Sequence, residues 1–325
     1  MTYLLETRFA PLAQIAIPLL LIAWLAFAPA RARLGVLLQI FGTAAFIGAL
    51  AVTAIWLLPP WWTPYVLGAL LTISAVRALL RWRTLPFRQT SISALITSSV
   101  FLALGVYSSQ QAVRSCHGHF APPGRSVDLE FPFSEGEFQI AQGGSEPAIN
   151  GHLRTRDIDL PAVQQWRGVG YALDIVSVDA WGLRATGYRP SDLRAYRIFG
   201  ARVSAPCSGT IFSAVDGLPD LPPQHPDFLH VAGNHVVLAC ADFHVVLAHL
   251  RSGSVRPKVG DTVHSGDYIG EVGNSGATYE PHLHIHAQEP GSAAAPMSGN
   301  PIPMTFGGRF LARNDRVAAD SMAKK

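Results

Sequence analysis

A cluster of histidines near the C-terminal end of the chain has residue types and spacing that suit a transition metal. His282, His284 and His286 alternate with Leu283 and Ile285, and alternation along a β-strand puts the three imidazoles on one face of a sheet. Two imidazoles two residues apart can bind one metal ion together, or one can bind the ion while its neighbour contacts a substrate. Because 12 histidines in 325 residues give roughly half of one His-x-His pair by chance, the motif alone is only a hypothesis.

Other motifs flank this cluster in a fixed order, which makes chance a poor explanation. They are Ala205-Pro-Cys-Ser-Gly-Thr-Ile211, Ala248-His-Leu250, Val259-Gly-Asp-Thr-Val263 and Gly270-Glu-Val-Gly-Asn-Ser-Gly276, followed by Pro281-His-Leu-His284. The ordered set resembles the lysostaphin-like family of zinc peptidoglycan endopeptidases (the duplicated-hybrid-motif peptidase domain) over residues 149–288. The resemblance implies a mainly antiparallel β domain that binds Zn2+ and hydrolyses peptide bonds in bacterial peptidoglycan.

The resemblance also assigns roles to five side chains. His284 corresponds to a zinc ligand, whereas His282 and His249 correspond to the family's two catalytic histidines. Asn150-Gly-His152 and Tyr171-Ala-Leu-Asp174 look like a variant of the segment that supplies the other two ligands, so His152 and Asp174 are the predicted ligands. In the commoner family pattern these two residues are four apart, whereas here they are 22 apart (152 to 174). Three rivals to Asp174 therefore stay open: Asp157, Asp159 and Asp179.

Two imidazoles and one carboxylate leave the fourth position of a tetrahedral zinc ion open for water. Zinc lowers the pKa of that water and polarises the scissile carbonyl, and unbound imidazoles at His249 and His282 can accept the proton or stabilise the oxyanion. Which of them does which stays open, as does whether His286 contacts His284 or packs in the core. We interpret the remaining histidines as surface or core residues: His117, His119, His225, His230, His235, His244 and His264.

Short alternating runs between turn signals predict that residues 126–312 form this β domain. The predicted strands cover residues 127–131, 169–178, 202–212, 235–239, 244–250, 268–272 and 282–287. Residues 164–166 and 190–197 favour short helical turns. Glycine and proline at 115–125 predict a linker, and the charged, alanine-rich residues 313–325 predict a disordered tail.

Residues 1–114 are too apolar for a soluble domain and predict a membrane domain of about four helices. Apolar runs at 11–30, 34–58 and 91–113 can each cross a hydrocarbon core of about 30 Å at 1.5 Å per residue. A weaker run at 61–80 becomes a span if Trp61 and Trp62 mark one interface and Arg77 reaches the other. A cleaved signal peptide is the alternative for the first run. Because the spans contain no acidic residue or histidine, we expect an anchor rather than a transporter.

Arginines indicate the orientation of these spans. The first connection contains Arg31 and Arg33, and the third contains Arg77, Arg81, Arg83 and Arg88. Four spans put both basic loops in the cytoplasm, whereas three spans put them on opposite sides of the membrane. The sequence therefore predicts a multi-pass protein of the bacterial inner membrane, with the peptidase domain outside the cytoplasm.

Charge and cysteine content limit the partners and the compartment. A formal net charge of +3, with no basic run interleaved with aromatics, argues against nucleic acid. The predicted partners are a peptidoglycan peptide and the lipid bilayer, and any regulatory protein partner is unknown. Three cysteines set no disulfide framework: Cys207 and Cys240 pair if their compartment is oxidising, leaving Cys116 over, or all three are free thiols.

Three alternatives to a peptidoglycan hydrolase stay open. A non-catalytic member of the same fold would bind the wall or regulate a hydrolase, but degenerate members lack ligands and all five side chains have candidates here. A membrane sensor or transporter capped by the soluble half is disfavoured by the uncharged spans. Zinc chemistry does not distinguish peptidoglycan from a protein substrate.

Overall fold

The computed structural model describes residues 12–88, 91–157, 159 and 161–322. The chain divides into two compact units, Met1–Cys116 and His117–Lys325. Helices form the first unit, and mainly antiparallel strands form the second. The predicted fold class, a helical apolar region followed by an antiparallel β domain, is confirmed.

The first unit contains four α-helices in the described residues: α1 (Ile17–Phe27, after a π-helical turn at Leu12–Ala16), α2 (Arg33–Thr53), α3 (Thr63–Leu79) and α4 (Ile92–His117). A short 3-10 helix, Trp82–Thr84, follows α3. Three described segments are long and apolar enough to cross a membrane: Arg33–Thr53, Thr63–Thr84 and Ile92–His117. The apolar helix Gln14–Phe27 is shorter, and residues 1–11, where the first predicted span begins, lie outside the described residues. The count of four spans stays a prediction.

Two helix ends differ from the predicted boundaries. The span predicted to reach residue 58 ends at Thr53, because Ala54 adopts an extended conformation with ψ of 158° ahead of two prolines at 59 and 60 that would break the helix. The linker predicted to begin at residue 115 begins later, because α4 continues to His117.

Small residues set the packing of α2 against α4. A Cβ atom on Gly42 would lie 2.5 Å from the carbonyl oxygen of Phe101, and one on Gly105 would lie 2.3 Å from the ring of Phe41. Each glycine thus lies against the neighbouring helix where no larger residue fits, as is common between membrane helices.

Both basic loops lie at the same end of the first unit. The backbone N–H of Arg33, at the start of α2, donates to the carbonyl oxygen of Pro86, 2.9 Å away, in the loop before α4. The Nε atom of Arg33 donates to the carbonyl oxygen of Trp82 at 3.1 Å. Helices α1 and α3 therefore end at the level where α2 and α4 begin, which is the arrangement that the arginine pattern predicts.

The described residues of the second unit contain fourteen strands. They are β1 (Val127–Leu129), β2 (Glu137–Gln142), β3 (Leu173–Ser177), β4 (Arg202–Ser204), β5 (Gly209–Val215), β6 (Asn234–Cys240), β7 (Phe243–Leu250), β8 (Thr262–Val263), β9 (Tyr268–Glu271), β10 (Leu283–Gln288), β11 (Pro301–Ile302), β12 (Met304–Phe306), β13 (Arg309–Phe310) and β14 (Arg316–Ala318). The main sheet is antiparallel and runs in the order β14–β2–β3–β10–β7–β6–β5–β8, with β11 beside β10. Strands β3, β10 and β7 form its centre.

The two faces of β10 have different roles. Leu283, Ile285 and Ala287 are fully buried in the main hydrophobic core, whereas the alternate residues His284 and His286 point away from that core, as period-two geometry requires. This confirms the alternation predicted from the sequence. Burying the apolar face fixes the strand register, because a one-residue slip would turn both histidines into the core.

Two predicted strands differ from the observed ones. The predicted strand at 169–178 begins only at Leu173, because a 3-10 helix occupies Pro161–Tyr171. The predicted strand at 202–212 is broken between Ser204 and Gly209, because the Pro206 and Gly209 of this segment favour a turn.

Residues 313–322, which we predicted to be disordered, are ordered, and residues 323–325 lie outside the described part. Strand β14 pairs with β2, and a 3-10 helix follows at Ala319–Met322. The prediction was wrong because it weighed the charged residues and missed Val317 and Met322, which are 2% and 4% exposed and belong to the main core.

A disulfide links Cys207, just before β5, to Cys240 at the end of β6, with a Cα–Cα distance of 6.2 Å. It closes a segment of 33 residues, for which chain entropy gives roughly 3–4 kcal/mol of stabilisation. Cys116 is free and exposed.

We expect the chain ending at Arg313 to lose much of the stability of the second unit. The deletion removes β14 together with the buried side chains of Val317 and Met322, each contributing about 1.5–3 kcal/mol. Urea unfolding of His117–Lys325 and of the shortened fragment measures the difference. The matched control is Asp320→Ala, an exposed position where we expect a change within about 0.5 kcal/mol. Equal unfolding midpoints for the two fragments would contradict the structural role of β14.

Candidate metal centre

Strand pairing brings the first two predicted ligands together. In the antiparallel pair β3–β10, His284 lies directly opposite Asp174, and residues paired in this way have side chains on the same face. The Nδ1 atom of His284 lies 3.0 Å from Oδ1 of Asp174. Both residues are buried, with 7% and 8% of their surface exposed.

His152 reaches the same carboxylate from the 3-10 helix Gly151–Arg156, which follows β2 in the chain. Its Nε2 atom lies 3.5 Å from Oδ1 of Asp174. The other ring nitrogen, Nδ1, lies 3.0 Å from Oδ1 of Asn150, whose Nδ2 donates to the carbonyl oxygens of Gly144 and Ala172. Because the amide oxygen can only accept, Nδ1 of His152 is protonated and its Nε2 lone pair faces Asp174.

The two predicted catalytic histidines, His249 and His282, lie next to each other and close to the candidate ligands. The Nε2 atom of His282 is 3.5 Å from Oδ1 of Asp174, while its Nδ1 lies 2.9 Å from the carbonyl oxygen of Glu280. The Nδ1 atom of His249 donates to the carbonyl oxygen of Ser275 at 2.9 Å. Since carbonyl oxygens only accept, each neutral ring has its unprotonated nitrogen at Nε2.

These residues fit a tetrahedral zinc ion. Ligand atoms about 2.0–2.1 Å from zinc lie about 3.3 Å apart at tetrahedral angles, and Oδ1 of Asp174 lies 3.0 Å and 3.5 Å from the nitrogens of His284 and His152. The candidate ligand atoms of these three residues all lie within 4.8 Å of one another. His249, His282 and His284 form a second such group, but that group lacks a carboxylate to balance the charge of a divalent cation.

Burial favours the neutral form of two imidazoles of the site, His152 and His249, near the charged carboxylate of Asp174. Burial lowers the pKa of His152 to about 4, although the nearby Asp174 carboxylate acts in the opposite direction. Burial alone would raise the pKa of Asp174, but the surrounding histidines His152, His282 and His284 outweigh it and hold this pKa below its usual range. Burial also lowers the pKa of His249 well below its ordinary value. His152 and His249 therefore need lose no proton when a cation binds at neutral pH.

Two further residues belong to the site: His286, whose contact with His284 the sequence left open, and Gln288, which the sequence analysis missed. His286 contacts His284, with 3.1 Å between its Nδ1 and Nε2 of His284, and Gln288 contacts His286, with 3.2 Å between its Oε1 and Nε2 of His286. Both are fully buried, and burial lowers the pKa of His286 well below its ordinary value. The alternation that placed His286 beside His284 also extends to Gln288, so that residue could have been found.

The structure brings together all five predicted site residues. The rival candidates for the carboxylate ligand make other contacts. Asp179 forms an ion pair with Arg197 at 2.6 Å. Asp157 accepts from the backbone N–H of Asp159 at 3.0 Å, in an exposed turn. The 22-residue separation of His152 and Asp174 is filled by two 3-10 helices, Gly151–Arg156 and Pro161–Tyr171.

Residues 191–296 match the sequence profile of Peptidase family M23. His249, His282 and His284 lie inside this match, whereas His152 and Asp174 precede it. No curated protein matches the chain.

Several solved structures are similar to the chain. A zinc-containing peptidase from Vibrio cholerae is 19% identical with a TM-score of 0.29, covering 62% of this chain and 41% of its own. The catalytic domain of the antimicrobial peptidase lysostaphin from Staphylococcus simulans is 25% identical with a TM-score of 0.23, covering 34% and 83%. A putative peptidase M23 from Pseudomonas aeruginosa is 16% identical with a TM-score of 0.28, covering 56% and 53%. The chain thus spans less than half the length of the Vibrio peptidase.

The lowered pKa of His152 predicts acid sensitivity of the metal-free protein. Its pKa is about 4 in the folded protein, against an ordinary value of 6.5 for a histidine in an unfolded chain. The unfolded state therefore binds more protons below pH 6.5, and stability falls as the pH decreases. The difference between the two pKa values corresponds to a loss of about 2 kcal/mol at pH 5. This figure is an upper bound, because 19% of the His152 side chain remains exposed to solvent. Asp174 does not change the stability between pH 7 and pH 5. Its pKa is lowered in the folded protein, so its contribution to stability is lost only when the pH falls below the ordinary pKa of an aspartate.

Urea unfolding of the metal-free fragment His117–Lys325 at pH 7 and pH 5, beside His152→Gln, measures this contribution. His249 and His286 add losses of the same sign in both proteins, so the variant should lose less than the wild type between the two pH values, by up to about 2 kcal/mol. Identical losses in the two proteins would show that His152 does not titrate in this way.

Proposed function

From the peptidase family M23 domain that residues 191–296 form, we propose that this chain is a membrane-anchored zinc metallopeptidase that hydrolyses peptide bonds in bacterial peptidoglycan. The proposed zinc ligands are His152, Asp174 and His284, and the proposed catalytic residues are His249 and His282. The observation that supports this most is the convergence of Nε2 of His152 and Nδ1 of His284 on Oδ1 of Asp174, within 3.5 Å.

Zinc bound at these residues would lower the pKa of a coordinated water and polarise the scissile carbonyl group. The protein's own contribution is to place two imidazole bases beside that position. In the neutral form of each ring, His249 and His282 present an unprotonated Nε2, because the carbonyl oxygens of Ser275 and Glu280 accept from Nδ1–H. One Nε2 can accept the proton of the attacking water, and the protonated ring can later donate to the leaving amine nitrogen.

His249 has the backbone strain that is typical of functional residues. Its φ is 61°, a left-handed conformation that a non-glycine residue rarely adopts. Two backbone hydrogen bonds hold it there: its N–H donates to Ala232 at 3.1 Å, and its carbonyl oxygen accepts from Gly273 at 3.0 Å. In this conformation the ring of His249 lies beside two other imidazoles. Its centroid is 4.8 Å from that of His282 and 5.7 Å from that of His284.

A catalytic role fits the site better than the alternative, a non-catalytic wall-binding or regulatory module. A binding module of this fold needs no buried carboxylate surrounded by imidazoles, because burying such a charge costs several kcal/mol unless a cation or hydrogen bonds compensate it. Asp174 is buried with three histidine nitrogens within 3.5 Å. A peptide bond in peptidoglycan is the proposed substrate because of the motif resemblance, and the bond cleaved is not specified by these residues.

The membrane anchor and its orientation are supported by the apolar helices and the arginines. The two basic loops lie at one end of the helical unit, so the positive-inside tendency puts that end in the cytoplasm. With four spans, the second unit then lies outside the cytoplasm. The Cys207–Cys240 disulfide agrees with this placement, since such bonds persist in oxidising compartments.

Substitution of the proposed ligand and of a proposed base should have different effects. We expect His284→Ala to lose both zinc and activity, because it removes a ligand. We expect His249→Ala to keep zinc while activity falls by about 10²–10⁴-fold, the usual loss on removing a general base. Zinc content and the release of fragments from isolated peptidoglycan measure the two effects. His264→Ala is the matched control, because this side chain is 80% exposed and should change neither.

The outcomes of this experiment separate the hypotheses. A wild-type protein that takes up no zinc and releases no fragments would favour the binding module. Loss of zinc in His249→Ala would move the metal to the group of His249, His282 and His284. Zinc-dependent cleavage of a protein but not of peptidoglycan would keep the metallopeptidase and replace the substrate.

The orientation predicts where reporter fusions are active. A reporter that is active only outside the cytoplasm should be active when fused after Lys325. It should be inactive when fused after Arg83, in the basic loop between α3 and α4. The opposite pattern would place the second unit in the cytoplasm and would exclude the wall as its substrate.

A further inference from the structure

We propose that His286 and Gln288 are positioning residues that fix the orientation and tautomer of His284, so that its Nδ1 atom is free for a metal. The three side chains form a line of hydrogen bonds along one face of β10. The line ends at the backbone carbonyl of Pro296. The proposal rests on the proposed zinc site in one respect, namely that His284 is a ligand.

The direction of each hydrogen bond follows from the carbonyl of Pro296, which can only accept. The Nε2 atom of Gln288 donates to it at 2.7 Å, so Oε1 of Gln288 faces Nε2 of His286 at 3.2 Å and accepts its proton. A neutral His286 then has an unprotonated Nδ1, which accepts from Nε2–H of His284 at 3.1 Å. A neutral His284 with its proton at Nε2 has its lone pair at Nδ1, the atom that faces Asp174.

Because these side chains are buried, each hydrogen bond in the line is needed for the stability of the fold. His286 and Gln288 are both 0% exposed, so water cannot replace a lost partner, and a buried polar group without a partner destabilises the fold. On the other face of β10, the alternate residues Leu283, Ile285 and Ala287 are apolar. The sheet does not require polar side chains at 286 and 288, and the hydrogen bonds that run from Gln288 through His286 to His284 give a physical reason for them.

The insertion between His152 and Asp174 covers the end of this line. A Cβ atom on Gly168, within the 3-10 helix Pro161–Tyr171, would lie 1.8 Å from Oε1 of Gln288, so only glycine lets the helix approach so closely. The backbone N–H of Gly168 also donates to the carbonyl oxygen of Met297 at 2.9 Å, next to Pro296. The insertion thus holds the amide of Gln288 between itself and the 296–297 segment.

The test is the dissociation constant for zinc, measured on the detergent-solubilised full chain by competition with a chromophoric chelator. His286→Phe keeps a flat ring but offers no acceptor to His284, and we expect zinc affinity to fall about 10–100-fold, as on loss of other groups that orient a histidine ligand. His286→Asn keeps an oxygen near the position of Nδ1 and should recover most of the affinity. Gln288→Met keeps the side-chain length but removes the acceptor for His286, and should lower affinity by several-fold.

A control on the same strand separates orientation of the ligand from general loss of packing. Ile285→Val removes one methylene group from the opposite, core-facing side of β10 and should leave zinc affinity unchanged. Thermal unfolding shows that each variant folds, and Gln288→Met decides the matter if His286→Phe does not fold. Wild-type zinc affinity in folded His286→Phe and in Gln288→Met would overturn the positioning role alone. A wild-type chain that binds no zinc would overturn the zinc site together with this inference.

Discussion

The pairing of β3 with β10 is the constraint on which the site depends. Its register sets His284 opposite Asp174, and the register is fixed because the alternate side chains of β10 are fully buried in the core. Hydrophobic burial, which has no direction of its own, therefore determines the position of a charged carboxylate and its nearest imidazole. A shift of one residue would bury His284 and His286 among apolar side chains and would turn Ile285 towards the site, so the core and the site cannot vary independently.

Every imidazole at the site is held by the nitrogen that faces away from Asp174. Asn150 holds His152, Glu280 holds His282, Ser275 holds His249, and His286 holds His284. Because the partners at the first three are oxygens that only accept, the proton is fixed on the outer nitrogen and the inner lone pairs converge. Such preorganisation reduces the rearrangement that metal binding requires, and burial lowers the pKa of His152 and His249, which favours their uncharged form at neutral pH.

Local sequence signals predicted the parts of this arrangement that depend on neighbouring residues. Alternation in β10 predicted that His284 and His286 share a face, and the motif order predicted the β domain. Contacts between distant segments were out of reach of such signals. Arg313, placed in a disordered tail, is 4% exposed and donates to Gln142 at 2.6 Å and to the carbonyl oxygen of Ala148 at 3.1 Å. Gln142 also accepts from the N–H of Gly151, so the C-terminal segment supports the loop of His152 through pairings that no local pattern encodes.

The long separation of His152 and Asp174 has a simple physical explanation in Asn150. Its side-chain amide is fully buried and donates to the carbonyl oxygens of Gly144 and Ala172, 2.9 and 3.3 Å away. Residues before and after the insertion are thus joined at its base, and the segment between them only has to close a loop. Loop closure depends weakly on length, so each doubling costs only about 0.6 kcal/mol. The positions of His152 and Asp174 therefore depend on the contacts at the base of the insertion and not on its length. The rest of the insertion makes other contacts, and at Gly168 it covers Gln288.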